Sequence, residues 1–330
     1  MALPFSQIPV SVLDLAPVIA GGSIGETLRR TVDLAQKAEG WGYRRFWLAE
    51  HHNMPGIASA ATSLVIGHVA GQTKTLRVGS GGVMLLNHAP LVIAEQFGTL
   101  EALYPGRIDL GLGRAPGTDQ ATMRILRRNL DGTGDDFPER LEELRAFFRV
   151  PVPGQRIRAV PGAGLNVPIW LLGSGGFSAQ LAGQLGLPFG SAGHFSPDNM
   201  LAGLDLYRRS FRSSESLAKS YALVCVNVFA AETDEAAARL ATSHFQAHLE
   251  LARGNPVTLP PPLASPDILA EPTARHFLQG SIIGSPATVK AGLAALAEET
   301  QADELMIHSM IYDHEARLRS YEILSEIQRS

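Results

Sequence analysis

In WLAEHHNMPG (47–56) a carboxylate, Glu50, stands directly before two imidazoles, His51 and His52. Histidine changes charge near neutral pH, and an adjacent carboxylate can hold its tautomer or share its proton. Three roles are open to such a trio: metal ligation, proton transfer, or structure alone. A metal needs several ligand atoms converging on one point, and no HxH, HExxH or Cys/His cluster supplies them. Neighbouring side chains on a strand face opposite ways, so His51 and His52 would not share a metal while the strand continued. No metal is therefore expected. The functional reading is a proton-handling His51 assisted by Glu50. The structural one is a Glu50 paired inside the fold, with the histidines as polar fillers.

The second signal is glycine. GSGG occurs at 79–82 and again at 173–176, each after an apolar run. The second precedes SAQLAGQLG (178–186), which has helical character. A Gly/Ser turn entering a helix aims several backbone N–H groups at one point, and the helix dipole adds positive potential. Such a turn suits phosphate. Ser174 and Ser178 could donate hydroxyls, and Arg114 could add a full charge. The alternative is that the glycines only turn the chain. Gly81–Gly82 invites a further reading, because paired glycines let backbone approach a flat ligand closely. GLGRAPG (111–117) is a poor dinucleotide fingerprint: its spacing is GxGxxxG and Pro116 interrupts it.

These residues need elements to hold them. Strand-like segments fall at 8–15, 43–49, 75–80, 107–112, 168–172, 188–192, 221–230 and 303–308, with amphipathic helical segments between most of them. Ser23 and Glu26 have the spacing of a capping box for the first helix. Eight strands in βα order predict one (β/α)8 barrel spanning 1–330, with insertions at about 114–167 and 254–284. A doubly wound sheet is the alternative. Residues 117–149 suggest two helices broken near 131–138, and 151–168 a short hairpin. Six prolines in 255–272 suggest a loop or lid.

Active sites of such barrels lie at the C-terminal strand ends. That rule selects Asp14, Glu50 to His52, Gly79–Gly82, Gly111–Arg114, Gly173–Gly176, Ser191–His194, Asn227 and His308–Ser309.

With 45% hydrophobic and 18% charged residues, a 330-residue chain can bury a large core. A net charge of −4 argues against a nucleic-acid or anionic-membrane surface. Arg124, Arg127 and Arg128 have helical spacing and read as a solvated face. The single cysteine, Cys225, cannot form an intrachain disulfide and sits in an apolar run, as a buried thiol in a reducing cytoplasm would. No signal peptide or apolar run long enough for a membrane span is visible.

AEHHN (49–53), VGSGGVML (78–85) with NHAP (87–90), AEQFGTLEALYPGRIDLGLGR (94–114) and PIWLLGSGGFSAQLAGQLGLPF (168–189) together resemble the luciferase-like flavin monooxygenases, in that family's order and across nearly the whole chain. The alkanal-monooxygenase-like branch is the nearest match. The resemblance implies a TIM barrel using reduced FMN (FMNH2) and O2 on a small organic substrate, fed by a separate flavin reductase, as a cytoplasmic homodimer. In related branches the cofactor is F420. It further implies His51 near the flavin assisting the oxygen chemistry, Glu50 near the isoalloxazine, and Gly81–Gly82 as an often cis pair under the ring. Arg114 would bind phosphate with Leu172, Gly173, Ser174, Gly175, Phe177 and Ser178, while Ala192 and His194 flank the flavin. NMPGIAS (53–59) need not form a pocket for a long aldehyde, so light emission does not follow. Other roles on the same barrel are F420-dependent hydride transfer, flavin storage, or sugar-phosphate isomerase or aldolase chemistry.

Overall fold

The structure is a computed structural model that describes residues 4–127 and 136–329. Among these residues nine parallel strands form: Val10–Asp14 (β1), Arg45–Leu48 (β2), Arg77–Met84 (β3), Ile108–Gly113 (β4), Ile169–Gly173 (β5), Phe189–Ser191 (β6), Ala222–Ala230 (β7), Ile282–Gly284 (β8) and Glu304–His308 (β9). Their order is β6-β5-β4-β3-β2-β1-β9-β7, and a β6–β7 pairing closes the ring. Eight strands thus make the expected barrel, not a doubly wound sheet. The ninth, β8, lies outside the ring and lengthens the edge of β7 through Val228↔Ile282.

The helices are Ile24–Trp41 (α1), Thr62–Gln72 (α2), Pro90–Leu103 (α3), Gln120–Leu126 (α4), Phe137–Phe148 (α5), Gly176–Leu185 (α6), Met200–Ser210 (α7), Asp234–Ala252 (α8), Pro272–Phe277 (α9), Pro286–Thr300 (α10) and His314–Arg329 (α11). Local chemistry sets several ends. Ser23 accepts from the Glu26 amide, and Gly42 stops α1 at φ 87°. Only half of the capping box forms, because the Glu26 carboxylate pairs with Arg30. Thr233 caps α8 by accepting from the Ala236 amide.

Strand alternation builds two layers. Val12, Phe46, Val78, Leu110, Leu171 and Leu305 join the large core under the helices. Leu13, Trp47, Trp170, Leu223, Cys225 and Met306 form a separate cluster. These residues alternate with the first set along their strands, so they fill the barrel interior. Trp47 and Trp170 meet edge to face with centroids 5.1 Å apart.

Below them the interior is ionic. Arg45 donates to Glu304 at 2.7 Å and to Asp109 at 2.7 Å, and Tyr221 donates to Glu304 at 2.8 Å. These charges are buried and mutually satisfied. Removing one partner would strand a buried charge, at a cost of about 3–5 kcal/mol. The N-terminal end of the barrel is therefore plugged, and the open end carries the site.

Three local expectations need correction. First, GSGG at 79–82 lies within β3, which runs on to Met84 against β4; the register shifts between Gly81↔Gly111 and Val83↔Leu112, so Gly82 is the extra residue. A Cβ at Gly82 would lie 2.7 Å from the Gly111 carbonyl oxygen, so glycine lets the two strands approach there. Second, 151–168 forms turns and no hairpin; its four prolines remove ladder donors. Third, Arg127 is not on a purely solvated face, because it donates to Asn87 Oδ1 at 2.9 Å. Arg128 and most of the break near 131–138 lie outside the described residues. No helix among them is long and apolar enough to cross a membrane.

Candidate active site

A cavity of about 760 Å³ opens at the C-terminal end of the barrel. His51, Gly81, Gly82, Arg114, Leu172, Gly173, Ser174, Gly175, Phe177, Ser178, Ala192 and His194 all line it. Sequence positions far apart therefore meet at one place, as the strand-end rule expects.

Glu50 is the exception. It is 2% exposed and does not line the cavity. The carboxylate expected beside a flavin sits behind the lining residues and not among them. Strand β2 stops at Leu48, so strand alternation no longer governs where residues 50–52 point. The Glu50 amide donates to the Gly82 carbonyl at 3.1 Å. Its carboxylate accepts from His52 Nε2 at 2.7 Å, from His88 Nε2 at 2.9 Å and from the Met84 amide at 3.1 Å. Burial alone would raise this carboxyl, but the hydrogen bonds from His52, His88 and Met84 outweigh it and hold it at about 2. Glu50 thus ties the His52 loop to the end of β3 as a permanent anion. The ligand atoms of Glu50, His52 and His88 lie within 4.8 Å of one another, the arrangement a cation would need. Here they hydrogen-bond to each other at ordinary lengths.

His51 turns the other way, into the cavity. Its Nδ1 faces the Gly117 carbonyl at 3.2 Å. A carbonyl only accepts, so the proton sits on Nδ1 and Nε2 keeps its lone pair. Burial lowers the affinity of this ring for a second proton. His51 is therefore a neutral imidazole with a fixed tautomer.

Gly81–Gly82 is a cis peptide bond in the cavity wall. Gly173 to Gly175, also in the wall, lead directly into α6, which begins at Gly176, two residues earlier than expected from sequence. Nothing lies within 4 Å of where a Gly175 Cβ would stand, so this backbone is open. The Arg114 guanidinium stacks over the Phe177 ring at 4.3 Å and has no ion-pair partner among the described residues. An unpaired cation, an open helix N-terminus and the Ser174 hydroxyl fit an anionic phosphate group.

A sequence model of the luciferase-like monooxygenases matches residues 8–304. The chain belongs to the luciferase-like monooxygenase family. Its relatives include the uncharacterized protein YvbT of Bacillus subtilis (strain 168), 56% identical over 97% of each chain. A luciferase-like monooxygenase of Escherichia coli (strain K12) is 52% identical over 97% of each chain. Among solved structures, apo-MsnO8 has a TM-score of 0.89 and 37% identity, covering 97% of this chain and 98% of its own.

Within this luciferase-like barrel, some site residues escaped the sequence reading. His244 and His248 on α8 line the cavity with Ala247 and Leu251. Their spacing of three, four and seven marks one helix face, and that signal was available. Pro256 and Val257 also line it, and Leu259 bonds backbone to backbone with Val18 and Ala20. The front of the proline-rich 255–272 stretch is therefore pinned to the loop after β1. Asp14, a strand-end candidate, is structural: Arg317 donates to it at 2.6 Å and Thr31 at 2.8 Å. Cys225 lines the cavity too, but burial pushes its thiol up, away from thiolate chemistry.

Proposed function

We propose that this protein is an FMN-dependent monooxygenase acting on a small organic substrate. One observation carries the reading: an open, unpaired phosphate-type cradle shares a single cavity with the Gly81–Gly82 peptide and with a fixed-tautomer His51. The cradle and the ring-sized apolar wall fit the two ends of FMN.

Reduced FMN, when bound, would supply the electrons that activate O2. Arg114, Ser174 and the amides at the start of α6 would hold its phosphate. Gly81 and Gly82 would let the isoalloxazine lie against backbone. His51 Nε2 would accept a proton from the reacting centre, because its Nδ1–H is committed to Gly117. The apolar walls exclude water from that centre. A separate reductase supplying FMNH2, a homodimeric assembly and a cytoplasmic location belong to the same proposal.

Anaerobic titration with FMNH2 and with F420 tests this reading. Saturable FMNH2 binding, followed on aeration by transfer of labelled oxygen to an organic product, is the expected result. Specific F420 binding with turnover in the absence of O2 would replace it with deazaflavin hydride transfer.

A further inference from the structure

The deep wall of the cavity carries chemistry beyond the phosphate-type cradle, the Gly81–Gly82 peptide and His51. Asn227, on β7, and His308, on β9, lie side by side in register, and both line the cavity. The Asn227 amide nitrogen donates to the His194 carbonyl at 2.6 Å. Only a donor can face a carbonyl oxygen, so the Asn227 side-chain orientation is fixed. Its Oδ1 then accepts from His308 Nδ1 at 2.7 Å. His308 therefore carries its proton on Nδ1. Burial first, then neighbouring His194, His244 and Arg317, hold its affinity for a second proton well below the ordinary value. Its Nε2 is left as a bare lone pair.

That lone pair has no hydrogen-bond partner among the described residues, although His308 is only 4% exposed. An unmade hydrogen bond on a buried group costs about 1–3 kcal/mol. Two neighbours are in the same condition. His194 Nδ1 and His244 Nε2 are also buried without partners. Their rings stand 5.4 and 5.9 Å from His308, and both line the cavity. Unlike His308, their side chains have no hydrogen bond among the described residues that fixes a tautomer, so each can present a donor or an acceptor. The rest of the lining is dominated by apolar side chains, including Leu13, Leu15, Trp47, Leu223 and Met306. Arg114, at the phosphate cradle, is the only permanently charged side chain in it among the described residues.

From this geometry we infer that His308 Nε2 is a substrate-recognition site that accepts a hydrogen bond from a hydroxyl or secondary-amide N–H on an otherwise apolar, uncharged molecule. His194 and His244 complete the site by donating to the same group's acceptor atom. Asn227 is a positioning residue, acting through the His308 tautomer. A carboxylate offers acceptors only and would face a lone pair with a negative charge. The inference rests on the monooxygenase reading for the word substrate, but the site can be tested without flavin or O2.

Binding to the flavin-free protein is read from intrinsic tryptophan fluorescence, since Trp47 lines the cavity. Two matched pairs serve as probes: octanol against methyl octyl ether, and N-octylacetamide against N-methyl-N-octylacetamide. The donor of each pair is expected to bind at least ~10-fold more tightly, and octanoate no better than the ether. His308→Phe should abolish the preference while retaining the ether, and Asn227→Leu should narrow it by freeing the tautomer. Equal binding within both pairs, tighter binding of octanoate than octanol, a preference that survives His308→Phe, or no saturable signal from any probe would overturn the assignment. The wild-type comparison decides it even if a variant fails to fold. Donor preference without oxygen transfer would keep the site and remove the monooxygenase reading; oxygen transfer without donor preference would do the reverse.

Discussion

His51 and Gly117 are joined by a hydrogen bond of 3.2 Å from imidazole Nδ1 to the backbone carbonyl. The pairing spans two loops and leaves His51 Nε2 as the acceptor in the cavity. Gly117 can hold this position because it has φ +66°. A Cβ there would also stand 2.9 Å from the Glu50 carbonyl oxygen.

Gly117→Ala should therefore loosen His51 without touching it. The left-handed conformation alone costs an alanine about 1–2 kcal/mol. Thermal unfolding should show the loss of stability. Oxygen-transfer rate should fall with FMN affinity nearly unchanged, because Gly117 moves the imidazole and not the phosphate cradle. Unchanged stability and rate would show that the contact does not fix His51.

Arg114 should matter for FMN and little for riboflavin. Its guanidinium faces the phosphate cradle and stacks on Phe177 at 4.3 Å. Arg114→Ala should weaken FMN binding by roughly ten-fold or more, the worth of one charge-assisted contact. Riboflavin, which lacks the phosphate, should lose far less. Equal losses for both flavins in a fluorescence titration would place Arg114 against the ring instead.

Glu50 should behave as a keystone. Glu50→Gln keeps the shape but leaves one acceptor oxygen where His52, His88 and the Met84 amide now share two. One of these part-buried donors loses its partner, at a cost of about 1 kcal/mol. Denaturant unfolding should report that loss, and FMN affinity should fall with it through the Gly82 contact. Full stability with abolished oxygen transfer would instead make Glu50 a direct participant.

Stability should decline in mild acid. Burial holds His194 and His244 at about 3, against an ordinary 6.5. Between these values the unfolded chain binds protons that the folded chain does not. Stability therefore rises with pH up to about 6.5 and levels off above it. Each histidine contributes up to about 1.4 kcal/mol per pH unit in that window. Glu50 acts in the same direction, but only below its ordinary 4.5. Measurements between pH 4.5 and 6.5 isolate the histidines, and His244→Leu should flatten the slope there. An unchanged slope would mean that the ring takes up a proton without unfolding.

Much of this site was legible because it is built from strand ends. A glycine turn after an apolar run and a histidine where a strand stops are local signals, and the barrel rule brings them to one rim. That Glu50 stands behind the lining was not legible, because its position depends on where β2 ends, which the apolar pattern leaves open by a residue or two. The turn to His88 was unreadable, since it joins loops 38 residues apart through one carboxylate. The His308 tautomer was equally hidden: it requires the β7–β9 register and the position of the His194 carbonyl. The additional strand β8 escaped because its three residues pair only by lying beside the end of β7.

The central claim is that this cavity holds reduced FMN and directs its reaction with O2. The most direct measurement mixes the anaerobic protein–FMNH2 complex with oxygenated buffer in a stopped-flow spectrometer and follows the return of oxidised flavin. The expected trace is multiphasic, with oxidised FMN appearing far later than from free FMNH2 and the delay shortened in His51→Ala. A single phase matching free FMNH2, in wild type and variant alike, would contradict the account.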